Sequence, residues 1–225
     1  MMHKNIFVAC DVSSQEEILN LLELIHEDIS GIKIGLQYIT QRSPEEIREL
    51  SKFKKPIFYD GKFFDIKNTL VESVKSLKNL NVDYATIHLL NGLDALKAAN
   101  QAAQEINLNL LGVSVLTSFN DEDLESLGFN DRVNEQVIRL IKIAMDASLH
   151  GVICSPLEIK MIKKIAPNLK CFTPGIRMQD TKDDQKRTMN ANEAIKEGSD
   201  CLIIGRPITK GDPKKNMKNI LSSID

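Results

Sequence analysis

The chain has 225 residues, of which 42% are hydrophobic and 27% charged, and its 29 basic and 31 acidic residues give a net charge of −2. This composition is typical of a soluble globular protein with enough apolar material for a sizeable core. The near-neutral balance gives no electrostatic reason to expect binding to nucleic acid or to an anionic membrane. No apolar run approaches the ~20 residues that span a bilayer, and the N-terminus lacks the pattern of a signal peptide. We therefore expect a cytoplasmic protein.

The cysteines Cys10, Cys154, Cys171 and Cys201 are far apart in the sequence, and each lies in or beside an apolar run. No two of them form a CxxC pair, so we interpret them as reduced thiols of the core rather than as disulfides or zinc ligands. The histidines show no metal-ligand spacing either. No metal site is expected.

Short apolar runs alternate with longer segments of helical periodicity along the whole chain. The segments Ser14–Glu17, Ser43–Glu46 and Ser155–Glu158 each carry the serine and glutamate of a capping box, which predicts a helix start. Apolar residues recur at helical spacing after the first of these, and again between Val133 and Ala144. The predicted strands are Ile6–Cys10, Ile32–Ile34, Ile57–Tyr59, Tyr84–His88, Leu110–Val115, Gly151–Cys154, Lys170–Phe172 and Cys201–Ile204.

Alternation of strands and helices indicates an α/β protein with a parallel sheet. Eight such units without a linker-like break favour one domain over residues 1–225, folded as a (β/α)8 TIM barrel, whose usual size is ~250 residues. An open, doubly wound sheet is the main alternative. Against its nucleotide-binding form, no GxGxxG motif follows the first strand and no Walker loop occurs.

In such barrels the functional site lies at the carboxyl ends of the strands. Most residues at the predicted strand ends are polar or charged, as a functional rim requires. They are Asp11, Lys33, Asp60, Asp65, His88, Thr117, Arg177 and Arg206.

The densest group of charges is the segment that follows the third strand. Asp60 and Lys62 are two residues apart, so in extended chain they point to the same side, and Asp65 follows. Such a cluster is either a solvated surface patch or an ordered array that places one lysine to move a proton. Its position at a strand end and the neighbouring Lys33 favour the array, in which lysines and aspartates alternate.

These residues resemble the signature of a known family, the orotidine 5'-phosphate decarboxylases. The motif Asp60-x-Lys62-x-x-Asp65-Ile66-x-x-Thr69 is only moderately specific, because sister decarboxylases and aldolases share it. The resemblance extends in order over almost the whole chain. It includes Asp11, Ile32-Lys33-Ile34-Gly35, Val113-Ser114-Val115-Leu116-Thr117-Ser118, Thr173-Pro174-Gly175-Ile176-Arg177, Asp184-Gln185-Lys186-Arg187 and Ile204-Gly205-Arg206-Pro207-Ile208.

The resemblance implies conversion of orotidine 5'-phosphate to uridine 5'-phosphate in pyrimidine biosynthesis, without a cofactor. Lys62 would give a proton to C6 of the pyrimidine after carbon dioxide leaves. Asp60 and Asp65 would lie near the substrate carboxylate. The enzyme would be a homodimer in which Asp65 and Thr69 complete the neighbouring subunit's site.

The same resemblance assigns the substrate-binding residues. Lys33 and Asp11 would hold the ribose hydroxyls and the array of alternating lysines and aspartates. Thr117 would contact the pyrimidine edge.

The segments after the seventh and eighth predicted strands carry residues suited to binding a phosphate. Gly175 lets backbone approach an anion, Arg177 and Arg206 carry guanidinium donors suited to phosphate oxygens, and Gln185 adds a neutral donor. Gly205 lies just after the eighth strand, where this fold usually binds phosphate.

Three positions depart from the family pattern, namely Gly61, Phe64 and Lys67, and we expect them to alter loop packing or stability rather than chemistry. Gly61 is expected to point away from the barrel mouth. His88 stays open between a packed core histidine and a residue that supports the site. The loop Met178–Lys182 is expected to close over the phosphate.

Three rival functions remain. A hexulose-phosphate synthase or keto-gulonate-phosphate decarboxylase shares the DxKxxD motif but uses magnesium, and generally has an acidic residue near the position of Lys33. A ribulose-phosphate epimerase would need metal-ligating histidines at strand ends, which are missing. A barrel that binds nucleotides without catalysis is the rival from a different class.

Overall fold

The computed structural model describes residues 5–177 and 187–224. Eight parallel strands close into a barrel in chain order, and the last strand pairs with the first. This confirms the predicted (β/α)8 TIM barrel and excludes the open sheet. The strands are β1 Ile6–Ala9, β2 Gly31–Gly35, β3 Ile57–Phe63, β4 Tyr84–His88, β5 Asn109–Val113, β6 Gly151–Ile153, β7 Lys170–Thr173 and β8 Cys201–Ile204.

Helices follow the strands and form the outer layer. Within the described ranges they are α1 Gln15–Ile25, α2 Leu36–Ile39, α3 Pro44–Glu49, α4 Lys67–Ser76, α5 Leu93–Glu105, α6 Asp121–Ser126, α7 Val133–Asp146, α8 Ile159–Ile165, α9 Ala191–Lys196, α10 Arg206–Thr209 and α11 Pro213–Ser223. The apolar stripe predicted between Val133 and Ala144 is the buried face of α7. None of the helices in these ranges is both long and apolar enough to cross a bilayer.

Two of the three predicted capping boxes are confirmed, at Ser43 before α3 and at Ser155 before the 3₁₀ turn Pro156–Glu158. The box at Ser14 is wrong in one half. The Ser14 hydroxyl accepts the Glu17 N–H, but the Glu17 carboxylate accepts the N–H of Ser13 instead, at 3.1 Å. The Glu17 side chain thus reaches one residue further back than a capping box requires. Two backbone N–H groups at the helix start are still satisfied by side chains.

Side chains alternate along each strand between the helical layer and the barrel interior. On β1, Ile6 and Val8 pack under the helices, whereas Phe7 and Ala9 point inward. Phe7, Phe58 and Phe172 meet edge to face in the interior, with ring centroids 6.1–6.4 Å apart. The lower part of the barrel is therefore apolar, and polar chemistry is restricted to the layer above it.

All four cysteines are free and buried, which confirms their interpretation as core thiols. Burial raises the pKa of Cys10 to about 12, so its thiol stays protonated at neutral pH.

The close pairing of Gly31 with Phe7 yields a prediction about stability. A methyl group at Gly31 would overlap the Phe7 ring, which the other interior rings hold in place. We expect Gly31→Ala to lower the free energy of unfolding by about 1–3 kcal/mol, as overpacking does, measured by urea denaturation. In a Phe7→Leu background the same change should cost less, because the shorter side chain leaves room for the methyl group. Equal costs in both backgrounds would contradict this packing account.

Candidate active site

A cavity of about 330 Å³ opens at the carboxyl ends of the strands. Its floor is the apolar interior, with Phe58, Val113 and Ile203 among the lining residues. Most of the predicted site residues that the structure describes meet in its wall. They are Asp11, Lys33, Asp60, Lys62, Thr117, Arg177, Gly205 and Arg206.

Four charged side chains form a continuous chain across one side of this cavity. Lys33 Nζ lies 3.0 Å from Asp11 Oδ1 and 3.5 Å from Asp60 Oδ2. Lys62 Nζ lies 2.8 Å from the same Asp60 oxygen. Positive and negative groups therefore alternate from Asp11 to Lys62, and Asp60 lies between two ammonium groups.

The inner members of the chain are the most buried. The side chains of Lys33 and Asp60 are 9% and 12% exposed, against 33% for Lys62 and 52% for Asp11. Burial alone raises the pKa of Asp60, but the charges of Lys33 and Lys62 bring that pKa below its ordinary value. Burial lowers the pKa of Lys33, and Asp60 and Asp11 more than reverse this. Both groups thus stay ionised at neutral pH.

A buried threonine on the next strand anchors the chain of charges. The Thr86 hydroxyl donates to Asp60 Oδ1 at 2.9 Å and accepts the backbone N–H of Lys62 at 2.8 Å. Thr86 is fully buried. One hydroxyl therefore fixes both the aspartate and the backbone of the lysine.

Lys62 and Asp60 meet for a different reason than simple strand alternation. The register between β3 and β4 shifts between Tyr59 and Phe63, and Lys62 has φ of +48°. Left-handed backbone is uncommon for a residue with a side chain, and bulges often redirect a side chain beside a functional site. The backbone of Lys62 is thus bent rather than extended, although its ammonium group reaches Asp60.

Gly61 points away from the mouth, in agreement with its predicted orientation. A Cβ there would lie 2.6 Å from the Tyr59 ring, which stacks on Phe63 with ring centroids 5.9 Å apart. This stacked pair fills the space that a larger residue at position 61 would need, which gives the departure at Gly61 a packing reason.

Glycine and arginine residues that follow β7 and β8 line another part of the cavity. Gly175 has φ of +80°, a conformation that favours glycine. Arg177 N–H donates to Met189 O at 3.0 Å, and Met189 N–H donates to Gly175 O at 3.2 Å. These bonds join the chain on either side of residues 178–186. Gln185 and the loop Met178–Lys182 lie outside the described residues.

Asp65 and Thr69 do not line the cavity of this chain, and both are exposed. Asp65 Oδ1 accepts the N–H of Ile66, and the Asp65 N–H donates to Asn91 Oδ1 at 3.1 Å. The Asn91 amide also donates to the carbonyls of Phe63 and His88. Sequence reasoning missed this support by Asn91.

His88 lies beside the cavity rather than in its wall. Its half-buried ring lies 5.7 Å from the ring of Phe64, centroid to centroid. Burial, with a smaller effect from the Lys62 charge, lowers the pKa of His88, so the imidazole is neutral at neutral pH. Phe64 itself is 63% exposed, and Lys67 forms a surface ion pair with Asp94 at 2.9 Å. Neither departure from the family pattern removes a member of the chain of charges.

Comparisons of the sequence and of the structure with known proteins all find the same family. The sequence model of the family described as "Orotidine 5'-phosphate decarboxylase / HUMPS family" matches residues 4–220. A protein from Wolbachia pipientis subsp. Culex pipiens (strain wPip) named orotidine 5'-phosphate decarboxylase is 38% identical over 221 residues, which cover 97% of this chain and 98% of that protein. A protein of the same name from Dichelobacter nodosus is 38% identical over the full length of both chains. The crystal structure of orotidine 5'-phosphate decarboxylase from Lactobacillus acidophilus has a TM-score of 0.86 and 29% identity, and covers 99% of each chain.

The role of Thr86 can be tested by an isosteric change. Thr86→Val removes the hydroxyl and leaves Asp60 Oδ1 and the Lys62 N–H without this partner, so we expect a loss of about 1–3 kcal/mol in the free energy of unfolding. Urea denaturation measures this loss, and Thr86→Ser should recover most of it. The matched control is Thr40→Val at the exposed end of α2, where a change within about 0.5 kcal/mol is expected. Equal effects at the two positions would argue against the anchoring role.

Proposed function

The chain belongs to the orotidine 5'-phosphate decarboxylase / HUMPS family, and on that premise we propose that it converts orotidine 5'-phosphate to uridine 5'-phosphate with Lys62 as proton donor. The family description covers more than one activity, so the choice within it depends on the relatives. Those named above share the name orotidine 5'-phosphate decarboxylase over nearly the whole chain. The observation that supports the chemistry is the alternating chain of Asp11, Lys33, Asp60 and Lys62 in the cavity wall.

The mechanism follows from where charge appears during the reaction. The bond between C6 and the carboxylate breaks, carbon dioxide leaves, and the electron pair remains on C6. The Lys62 ammonium group is close to this developing charge and stabilises it more than it stabilises the bound substrate, which is the condition for rate acceleration. It then transfers a proton to C6, which gives uridine 5'-phosphate and a neutral lysine that regains its proton from solvent.

Asp60 has two functions in this proposal. Its carboxylate receives both Lys33 and Lys62, so the ammonium of Lys62 is held in place before the substrate arrives. A charged group that is already in place needs no reorganisation when the transition state forms. It therefore stabilises the developing charge more than a mobile group would. Asp60 also brings negative charge near the substrate carboxylate, together with Asp65 of the neighbouring subunit.

The two ends of the cavity fit the two ends of a nucleotide. We assign the pyrimidine edge to Thr117 and the ribose hydroxyls to Lys33 and Asp11. The phosphate is assigned to Arg177 and Arg206 together with Gly175, Gly205 and Gln185, of which Gln185 lies outside the described residues. Guanidinium groups suit phosphate because their planar donors match two of its oxygens.

A homodimer is part of the proposal. Asp65 and Thr69 are exposed next to Ile66 and Phe64, whose side chains are 72% and 63% exposed. Together with Leu90, these two apolar side chains line one surface depression, and contiguous exposed apolar patches often mark an interface. A second subunit that covers them would bring Asp65 and Thr69 towards its own cavity.

The absence of a cofactor and of a metal stays a prediction, as does the cytoplasmic location. The magnesium-dependent sister enzymes and a non-catalytic nucleotide-binding barrel are therefore the alternatives that an assay must separate. Lys33, a cation in the wall of the cavity, opposes the binding of a magnesium ion beside it.

A direct assay tests the function. We expect wild-type protein to consume orotidine 5'-phosphate, seen as a loss of ultraviolet absorbance, at the same rate with and without excess chelator. Lys62→Ala should abolish turnover but keep measurable affinity for uridine 5'-phosphate, because only the proton donor is lost. Near-normal turnover in this variant would refute the assignment of Lys62. Binding without carbon dioxide release in the wild type would favour the non-catalytic barrel, and inhibition by chelator would favour the sister enzymes.

The shared site can be tested by mixing two inactive variants. If each cavity combines Lys62 of one subunit with Asp65 of the other, dimers of Lys62→Ala and Asp65→Ala subunits contain one intact site. Random exchange in a twofold dimer should then restore about a quarter of wild-type activity. The control mixes Lys62→Ala with Asp60→Ala, which lie in the same subunit's cavity and should stay inactive. No recovery in the first mixture after subunit exchange would exclude the contribution of Asp65 across the interface.

A further inference from the structure

A second buried ion pair lies behind the cavity, and the proposed chemistry does not use it. Arg187 Nη1 contacts Glu158 Oε1, and the two side chains are 13% and 1% exposed. Neither residue lines the cavity. Burial raises the pKa of Glu158 despite the charge of Arg187 and a hydrogen bond from the Ser155 N–H. The surroundings therefore disfavour the carboxylate, and stability alone gives little reason to keep the pair.

A second guanidinium nitrogen of Arg187 is directed at the segment that follows β5. Its Nη2 donates to Leu116 O at 2.9 Å and lies 3.5 Å from Val115 O. Leu116 O also accepts the Phe119 N–H at 2.9 Å. Leu116 and the adjacent Thr117 line the cavity. The guanidinium group thus holds the backbone that carries Thr117.

Arg187 is also fixed to the segments that follow β6 and β7. The Ser155 hydroxyl donates to Arg187 O at 3.5 Å. Two residues further on, Met189 pairs with the backbone of Gly175 and Arg177. The side chain of Arg187 therefore contacts the part of the wall near Thr117, and the backbone that follows it pairs with the part near Gly175.

We propose that Arg187 is a positioning residue, which holds the Leu116–Thr117 backbone against the base of the bound nucleotide and is itself oriented by Glu158. This rests on the proposed function in one respect, namely that Thr117 contacts the pyrimidine. This geometry needs a guanidinium group, because its rigid, planar donors bind the Glu158 carboxylate and the Leu116 carbonyl at the same time. A lysine ammonium group would keep the charge but could not bind both groups in this geometry.

The test separates the base from the phosphate. The probes are uridine 5'-phosphate, which has a base, and ribose 5-phosphate, which has none, with binding to each measured by titration calorimetry. In Arg187→Lys we expect affinity for uridine 5'-phosphate to fall at least about tenfold, while affinity for ribose 5-phosphate stays within about twofold. The matched control is Arg139→Lys on the outer face of α7, whose side chain is 67% exposed and pairs with Asp131. It should change neither affinity.

A double variant guards against simple misfolding. Glu158→Leu with Arg187→Met removes both charges, so no unpaired charge is left buried, and such exchanges are often tolerated. We expect it to stay folded by circular dichroism and to show the same selective loss of affinity for uridine 5'-phosphate.

Unchanged affinity for uridine 5'-phosphate in either variant, or an equal loss for both probes, would overturn the role of Arg187. Neither binding measurement depends on turnover. A wild type that binds uridine 5'-phosphate but releases no carbon dioxide would refute the decarboxylation alone, and the comparison of the two probes would still decide the role of Arg187.

Discussion

The placement of Asp60 between two lysines, directly above an apolar barrel interior, is the constraint on which the rest of the site depends. A single charge buried at this position would be disfavoured by several kcal/mol. Here one carboxylate oxygen of Asp60 contacts both lysines and the other accepts a hydroxyl, so the buried charge of Asp60 is compensated. Removal of Asp60 would leave Lys62 without its ion-pair partner and Lys33 with Asp11 alone, so both lysines are fixed through one carboxylate.

The barrel supplies this arrangement through its alternation. Inward positions carry Phe7 and Phe58 in the apolar layer, and the next inward positions on β2 and β3 carry Lys33 and Asp60. One step along a strand moves a residue to the helical layer, and two steps raise it by one interior layer. The charged layer therefore lies directly on the apolar layer, with no layer between them. A nucleotide base in the cavity would contact both layers.

Much of this was predictable from sequence. The bounds of β4 and β8 were predicted as found: each run begins directly after an aspartate, and it ends on His88 in β4 and before Gly205 in β8. The strand β3 is longer than predicted, since Gly61 and the charges around it weaken the strand pattern while pairing with β4 extends it. The proximity of Lys33 to Asp60 followed from strand ends that meet at one rim.

Other features had no local signal. Thr86 looks like an ordinary β-branched strand residue, and only its neighbours on β3 make its hydroxyl important. The partners of Arg187 lie 29 and 71 residues away in sequence, at Glu158 and Leu116. Such pairings depend on which strands are adjacent and on the register between them. No spacing within one segment contains that information.

The bend at Lys62 links the fold to the proposed chemistry. Left-handed backbone at a residue with a side chain costs roughly 1–2 kcal/mol, and it persists only where the surroundings enforce it. Here the Thr86 hydroxyl receives the Lys62 N–H, and Asp60 receives the ammonium group. The side chain is thus held at both ends, by its backbone and by its charge. In the proposed mechanism, a proton donor held in this way loses little entropy when the substrate binds, and its charge needs no rearrangement when the carbanion forms. The left-handed backbone, held by these two contacts, is therefore consistent with a lysine that is placed for catalysis.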